Sequence, residues 1–171
     1  MSTLNSAVLA LGSNLGDRAA NLQRALDALI DSGALTDVVA SSIYETDPIG
    51  GPEQGPYLNA VVRGLTNIDP AELLAHAHRI EDQLGRVRTV HWGPRTVDID
   101  VVAYGQEVLA TDDLTIPHPR AHERTFVLMP WNEIDSDAEI PGRGSVSTCL
   151  AALPLEGIEA YAHSRLIVKA G

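Results

Sequence analysis

The chain has 171 residues, 44% hydrophobic and 20% charged, a composition that predicts one globular domain over residues 1–171 and argues against disorder. Twelve basic against 23 acidic residues give a net charge of −11, which disfavours nucleic acids and anionic membranes as partners. No apolar run reaches the roughly 18–20 residues of a membrane-spanning helix, and the first residues lack a signal-peptide pattern. The single cysteine excludes an internal disulfide framework and a multi-cysteine zinc site. We expect a cytoplasmic monomer.

The first part of the chain alternates strand and helix patterns. A short apolar strand, SAVLALGSN, precedes a helix in DRAANLQRALDALIDSG, whose apolar residues recur at helical spacing and which Gly33 ends. One β-branched strand is predicted in LTDVVASSIYET and another in YLNAVVRGLT, joined by the Pro- and Gly-rich loop DPIGGPEQGP. The clearest helix start is Asp69, a capping residue followed by Pro70 and Glu72, and Gly85 ends that helix.

The second part begins with TVDIDVVAY, whose apolar character predicts a central strand, followed by a hairpin turn at YGQEV. Short helices are expected in ERTFVLMPWNEI and over 145–153. Residues 6–104 therefore run strand, helix, strand, strand, helix, strand, which is the split βαβ order of a ferredoxin-like α+β sandwich. We expect a mostly antiparallel four-stranded sheet with two helices on one face and C-terminal additions, a fold that by itself selects no function.

Two aspartates in the TVDIDVVAY strand are the first candidates for chemistry. Asp98 and Asp100 stand two residues apart, so their carboxylates point to one face while Val97, Ile99 and Val101 point to the other. Two such carboxylates can hold one hard cation or bracket two, and Mg²⁺ completes its shell with water and substrate phosphates. The alternative is an exposed acidic strand face.

Arginines are concentrated just before this acidic pair. Arg86, Arg88 and Arg95 lie within ten residues, in a loop that also contains Gly93 and Pro94. Guanidinium groups beside metal-binding carboxylates suit a bound polyphosphate, since phosphoryl transfer depends on positioning and charge neutralisation. Ion pairing with nearby acidic residues is the alternative. The chain has no P-loop motif, and the glycines of ALGSNLGD match no nucleotide fingerprint, so we expect a turn there.

A histidine and several aromatic residues complete the candidates. His118 lies between two prolines, where it could donate a hydrogen bond to a phosphate or ribose, or be purely structural. Tyr57 follows the Pro- and Gly-rich loop, Phe126 follows the IPHPR turn and Trp92 lies in the arginine loop. Asn59 shares a strand face with Tyr57. Aromatic residues beside a cleft can sandwich a flat heterocycle, although core packing is the alternative for Phe126.

The segment GRVRTVHWGPRTVDIDVVAYG resembles the signature of the 6-hydroxymethyl-7,8-dihydropterin pyrophosphokinases of folate biosynthesis. ALGSNLGD, SSIYETDPIGGPEQGPYLNAVV, RIEDQLGRVR and LTIPHPRAHERTFVLMP resemble the same family in the same order, so the resemblance covers about residues 7–142, and 143–171 look specific to this member. The resemblance implies transfer of the terminal pyrophosphoryl unit of ATP to the pterin hydroxymethyl group with release of AMP. It also implies two Mg²⁺ ions and the ferredoxin-like fold.

The resemblance assigns roles to residues in four groups. These are Asp98 and Asp100 for metal; Arg86 and Arg95 for catalysis; Glu81, Arg88, Trp92, Ile99, Thr115, His118 and Arg124 for ATP; and Thr46, Pro48, Gly50, Tyr57, Asn59 and Phe126 for the pterin. Two other functions stay open on the residues alone. The first is another Mg²⁺-dependent nucleotide enzyme, such as a nucleotidyltransferase, and the second is a non-catalytic ferredoxin-like module that binds a small regulatory ligand.

Overall fold

The computed structural model describes residues 3–47, 55–85 and 96–170. The helices and strands, in chain order, are β1 (Asn5–Ser13), α1 (Arg18–Asp31), β2 (Thr36–Ala40), β3 (Tyr44–Thr46), β4 (Tyr57–Thr66), α2 (Pro70–Gln83), β5 (Asp98–Tyr104), β6 (Leu109–Ala110), β7 (Thr115–Ile116), a short 3-10 helix (Ala121–Glu123), α3 (Thr125–Ile134), β8 (Glu139–Ile140), β9 (Gly144–Ser145), α4 (Val146–Ala151) and β10 (Ile158–Ala160). None of the described helices combines the length and hydropathy that a membrane span requires.

The two longer helices begin where their capping residues predict. The Asp17 side chain accepts a hydrogen bond from the backbone N–H of Ala20 at 3.2 Å, and Asp69 accepts one from Glu72 at 2.8 Å. Pro70 occupies the first turn of α2. The apolar residues that recur at helical spacing are buried, namely Leu22, Ala25, Leu26, Leu29, Leu73, Ala77 and Ile80. Both predicted helices are thus confirmed.

The main sheet is antiparallel, with strand order β10-β3-β4-β1-β5 and β2 also paired to β4. Helices α1 and α2 pack on one face, and α3 packs on the other. The first core, on the α1/α2 face, includes Leu9, Leu11, Leu22, Leu26, Leu58, Leu73, Ile99 and Val101. The second core, on the α3 face, includes Val8, Val61, Val102, Val127, Leu128 and Trp131. The protein is therefore a mixed α/β structure with helices on both faces of the sheet.

The strand predicted over 35–46 is two strands, because Ser41 interrupts it. The Ser41 hydroxyl accepts the hydrogen bond of the Val61 N–H at 2.9 Å and donates to the Ser42 carbonyl at 2.7 Å. A side chain thus takes the place of a backbone acceptor at this point of the ladder. The strands on either side, β2 and β3, pair with different parts of β4.

The predicted central position of the TVDIDVVAY strand is wrong. Among the described strands, β5 pairs in the main sheet with β1 alone and lies at its edge. Its outer side is covered by α2 and by the segment after β7, where the His118 N–H donates to the Val102 carbonyl at 2.8 Å. Covering by other elements explains why an edge strand is so apolar.

The hairpin predicted at YGQEV is also wrong. A turn does follow β5, and the Glu107 N–H donates to the Tyr104 carbonyl at 3.0 Å. The next strand, β6, pairs with β7 instead of returning along β5.

The C-terminal segment has more structure than its weak pattern indicates. The helix expected over 145–153 is present as α4, and Val146, Cys149 and Leu150 pack into the second core. Strand β10, which the sequence did not predict, pairs with β3 and extends the main sheet.

Candidate active site

The α3 face of the sheet brings together residues from three neighbouring strands. Gly12 of β1 pairs in register with Asn59 of β4 on one side and with Asp98 of β5 on the other. A Cβ at position 12 would lie 3.4 Å from Asn59 Oδ1 and 3.7 Å from Tyr57 Cδ1. The absent side chain therefore leaves the space into which the amide and the ring extend.

The role of Gly12 was missed in the sequence, where the glycines of ALGSNLGD predicted a turn. Strand β1 instead continues through Gly12 to Ser13, and the turn comes at Gly16, which has a φ of +70°. A glycine inside a strand pattern marks a place where other groups approach the backbone closely, and that was the available signal.

The acidic pair lies on the face that strand alternation predicts. Val97, Ile99 and Val101 are buried in the first core, whereas Asp98 is partly buried on the opposite face and Asp100 is exposed there. Asp98 and Asp100 thus stand next to Gly12 and Ala10, their register partners on β1. The Ile99 side chain points away from this pair, which leaves only its backbone for a ligand.

A buried glutamate fixes the backbone between the two aspartates. Glu81 of α2 is only 3% exposed, and its Oε2 accepts a hydrogen bond from the Ile99 N–H at 2.9 Å. Because no described strand pairs with β5 on this side, the carboxylate takes the place of a backbone acceptor for this N–H. Glu81 thereby links the core of the helix layer to the position of the acidic pair.

A histidine and an arginine face Asp100 from the segment between β7 and α3. Burial lowers the pKa of His118 below its usual value, against the opposing charge of Asp100, so the imidazole is neutral near pH 7. Its Nδ1 accepts a hydrogen bond from the Arg120 N–H at 3.2 Å, which assigns the proton to Nε2. His118 can therefore donate from Nε2 to a phosphate or hydroxyl oxygen.

Arg124 supplies positive charge at the same place. Burial lowers the pKa of Arg124, while Asp100 acts in the opposite direction, and the guanidinium stays charged at neutral pH. Its Cζ lies 5.6 Å from the centre of the Phe126 ring, within cation–π range. The guanidinium thus contacts an aromatic face and lies within electrostatic range of the Asp100 carboxylate.

Residues on the other side of Gly12 form a polar and aromatic group. Asn59 is 6% exposed, and its Nδ2 donates to Thr46 Oγ1 at 2.7 Å. Tyr57 is partly buried and pairs in register with Thr46, whereas Phe126, partly buried at the start of α3, contacts Arg124. The side of Gly12 that carries Asn59 offers a ring face and a fixed amide, which suit a flat heteroaromatic molecule.

The structure thus brings eight of the predicted residues to one end of the α3 face of the sheet and to the segment that borders it. They are Thr46, Tyr57, Asn59, Asp98, Asp100, His118, Arg124 and Phe126. Thr115 is exposed on β7, three residues before His118. Glu81 and Ile99 contact each other behind the acidic pair, and the remaining six predicted residues, Pro48, Gly50, Arg86, Arg88, Trp92 and Arg95, lie outside the described residues.

Comparison with known proteins decides the family. Residues 8–136 match the family described as 7,8-dihydro-6-hydroxymethylpterin-pyrophosphokinase (HPPK). The chain belongs to this family. It is 47% identical over 135 residues to the 2-amino-4-hydroxy-6-hydroxymethyldihydropteridine pyrophosphokinase of Bacillus subtilis, covering 79% of this chain and 81% of that one. The enzyme of the same name from Mycobacterium tuberculosis is 45% identical over 151 residues, covering 82% and 78%.

The fold of this HPPK family member is similar to that of solved structures. The crystal structure of wild-type Plasmodium falciparum HPPK-DHPS with pteroate matches with a TM-score of 0.70 and 14% identity. The match covers 88% of this chain and 44% of that one, so the chain spans less than half of the longer protein.

Proposed function

We propose that the protein transfers the pyrophosphoryl unit of ATP to 6-hydroxymethyl-7,8-dihydropterin, giving AMP and the pterin diphosphate for folate biosynthesis. The main support for this proposal is that a chain of the HPPK family has an acidic pair, Asp98 and Asp100, beside a polar and aromatic group around Asn59 and Tyr57. An anionic donor and a flat acceptor need neighbouring sites of these two kinds.

The donor set at the acidic pair fits magnesium, of which we propose two ions. Carboxylate oxygens are the ligands that Mg²⁺ prefers, and it usually takes one or two from protein together with water and phosphate oxygens. Within residues 3–47, 55–85 and 96–170 no cluster of three or more His, Cys, Asp or Glu side chains surrounds one point. When bound, the ions would neutralise the phosphates and acidify the hydroxyl of the acceptor.

The chain's own residues would orient the two substrates. On the nucleotide side, His118 would donate from Nε2 and Arg124 would supply charge, with Glu81, Arg88, Trp92, Ile99 and Thr115 as the further contacts. On the pterin side, Tyr57 and Phe126 would sandwich the rings, with Thr46, Pro48, Gly50 and Asn59 around them. Arg86 and Arg95 would assist transfer by binding the phosphate charge that develops in the transition state.

The bond changes define what the site must align. The hydroxymethyl oxygen of the pterin forms a bond to the β-phosphorus of ATP, and the bond between that phosphorus and the α,β-bridging oxygen breaks. The bridging oxygen leaves with AMP, and the hydroxyl proton passes to solvent. Alignment of the attacking oxygen with the leaving oxygen is therefore the main demand on the residues that hold each substrate.

We also propose a ferredoxin-like classification, a single domain, a monomer and a cytoplasmic location. The first is supported by the antiparallel neighbours β4, β1 and β5 with α1 and α2 on one face. The second is supported by the packing of α4 into the second core and of β10 onto the main sheet. The proposals of a monomer and of a cytoplasmic location rest on the sequence. Light scattering would test the first, and cell fractionation would test the second.

An AMP-release assay tests the proposed reaction. The protein is incubated with MgATP, with and without 6-hydroxymethyl-7,8-dihydropterin, and AMP and the pterin product are followed by chromatography and mass spectrometry. We expect AMP only when pterin is present, with two phosphoryl groups added to the pterin. Release of inorganic pyrophosphate with AMP attached to the acceptor would indicate a nucleotidyltransferase instead. No reaction by folded protein would favour the regulatory module.

A further inference from the structure

The C-terminal segment completes the sheet next to the proposed pterin site. Strand β10 pairs antiparallel with β3, with Ile158 opposite Thr46 and Ala160 opposite Tyr44. The Tyr161 N–H continues this pairing by donating to the Ile43 carbonyl at 2.8 Å, and its ring packs against the first core. Strand β3, which carries Thr46, is thus held between β4 and the C-terminal segment.

A glycine of this segment contacts Asp47, the residue that follows Thr46. The N–H of Asp47 donates to the Gly157 carbonyl at 3.2 Å. Gly157 has a φ of +77°, and a Cβ there would lie 3.2 Å from Asp47 Oδ2. Glycine is therefore favoured by backbone conformation and by the space that Asp47 occupies.

Arg18 connects the same place to the start of β4. Its Nη1 donates to Glu45 Oε2 at 2.8 Å and to the Pro56 carbonyl at 3.0 Å. Its Cζ lies 5.8 Å from the centre of the Tyr161 ring. A single guanidinium thus contacts β3, the residue that precedes Tyr57, and the C-terminal segment.

These contacts act on both strand ends that carry pterin residues. Glu45 precedes Thr46, and Pro56 precedes Tyr57. We propose that Arg18 and Gly157 are positioning residues that hold Thr46 and Tyr57 in register for the pterin, an inference that rests on the proposed function. Neither residue touches the substrate in this proposal. Both act through the backbone of their neighbours.

A merely structural role makes a different prediction. An ion pair such as Arg18–Glu45, with side chains 23% and 36% exposed, adds little to stability because solvent screens it. If Arg18 only stabilised the fold, its loss would either lower the affinities for pterin and ATP to the same extent or leave both unchanged. A positioning role predicts a loss confined to the pterin.

The first test compares Arg18→Met with Arg63→Met. Arg63 makes a matched pair with Asp135, at 3.0 Å and with side chains 36% and 28% exposed, at the other end of β4. We expect Arg18→Met to raise the KM for the pterin about tenfold, with kcat and the KM for ATP within about twofold of wild type. Arg63→Met should leave all three unchanged. Arg18→Lys should restore most of the pterin KM, because one nitrogen makes both hydrogen bonds of Arg18.

The second test compares Gly157→Ala with Gly142→Ala. Gly142 has a φ of +79°, close to the +77° of Gly157, so both variants carry similar backbone strain. A Cβ added at position 142 would meet nothing within 4 Å. Only Gly157→Ala presses on Asp47, and only this variant should weaken pterin binding. Direct titration of the pterin in the presence of α,β-methylene ATP, which cannot be cleaved at the scissile bond, measures that affinity without turnover.

The outcomes separate the inference from the proposed function. Inactive wild-type protein that binds no pterin would overturn the proposed function and the inference with it. An active wild-type enzyme whose Arg18→Met and Gly157→Ala variants keep the pterin affinity of their controls would overturn the inference alone. Equal losses for the pterin and for ATP would also overturn it.

Discussion

Asp98 and Asp100 share one strand face but differ in their surroundings. Asp98 is partly buried beside Gly12, whereas Asp100 is exposed and faces His118 and Arg124. The imidazole and the guanidinium that face Asp100 are well placed to contact a phosphate bound beside that carboxylate. The two aspartates should therefore both be required, although the local environment of each is different.

Replacing either aspartate by asparagine should remove activity without unfolding the protein. Asp98→Asn and Asp100→Asn keep the side-chain volume but remove the charge that would hold cations, so we expect AMP formation to fall by about two to three orders of magnitude. The control is Asp37→Asn, an exposed position on β2 with a φ of +50°, which asparagine also adopts. Retention of more than a tenth of the wild-type rate by either variant would contradict the proposed role of the pair.

Tyr57→Ala should weaken the pterin and spare ATP. The ring lies next to Gly12 on the strand that carries Asn59, and the acidic pair lies on the strand at the other side of β1. Removal of a stacking surface costs about 0.5–1.5 kcal/mol beyond the buried area, so a loss of pterin affinity of tenfold or more is expected. Tyr57→Phe keeps the ring and serves as the control. A fall in ATP affinity instead would show that the pterin is placed on the wrong side of Gly12.

At the scale of elements, a carboxylate links α3 to the β3 region. Glu133 Oε2 accepts hydrogen bonds from the Ser42 N–H and hydroxyl, both at 2.9 Å, and its Oε1 accepts one from the Tyr44 hydroxyl at 2.7 Å. Burial raises the pKa of Tyr44 above its usual value, and the Glu133 carboxylate raises it further. The link therefore depends on a protonated phenol.

This link predicts a loss of stability at alkaline pH. A group whose pKa is raised by folding contributes its stabilisation in full below the unfolded-state pKa, about 10 for tyrosine, and loses it as the pH rises toward the folded-state value. The free energy of unfolding of the wild type, measured by urea titration, should fall more steeply above about pH 10 than that of Tyr44→Phe. The variant keeps the other tyrosines, so parallel curves would contradict the assignment.

The elements themselves were predictable where their signals are local. Helices α1 and α2 carry caps and apolar periodicity within one segment, and β4 has the bounds of its apolar run. The break at Ser41 and the pairing of β10 with β3 depend on partners far along the chain, as Val61 and Thr46 show. Local propensity does not contain that information.

At the scale of the whole molecule, the candidate site was partly predictable for the same reason. The spacing of Asp98 and Asp100 fixes their common face once β5 is recognised as a strand. Gly12 and Arg18 are far from both aspartates in the sequence. In the folded sheet, Gly12 lies beside Asp98, and Arg18 lies at the strand ends that carry Thr46 and Tyr57. Topology, rather than any motif, assembles these contributions.

The excess of acidic residues gives a prediction for the molecule as a whole. With a net charge of −11, repulsion between like charges opposes the compact state at neutral pH. Raising the salt concentration from about 0.01 M to about 0.15 M shortens the screening length from about 30 Å to about 8 Å and should raise the melting temperature by about 2–5 °C.

Varying the pH and the type of salt tests whether charge screening causes the rise in melting temperature. Near the sequence pI of about 4.8 the net charge is close to zero, so the same increase in salt should give little or no stabilisation. Sodium chloride and choline chloride at equal ionic strength should act alike if screening is responsible, whereas binding of a specific cation would favour one of them. A melting temperature that falls with salt at neutral pH would show that attractive pairs such as Arg18–Glu45 and Lys169–Asp31 outweigh the acidic excess.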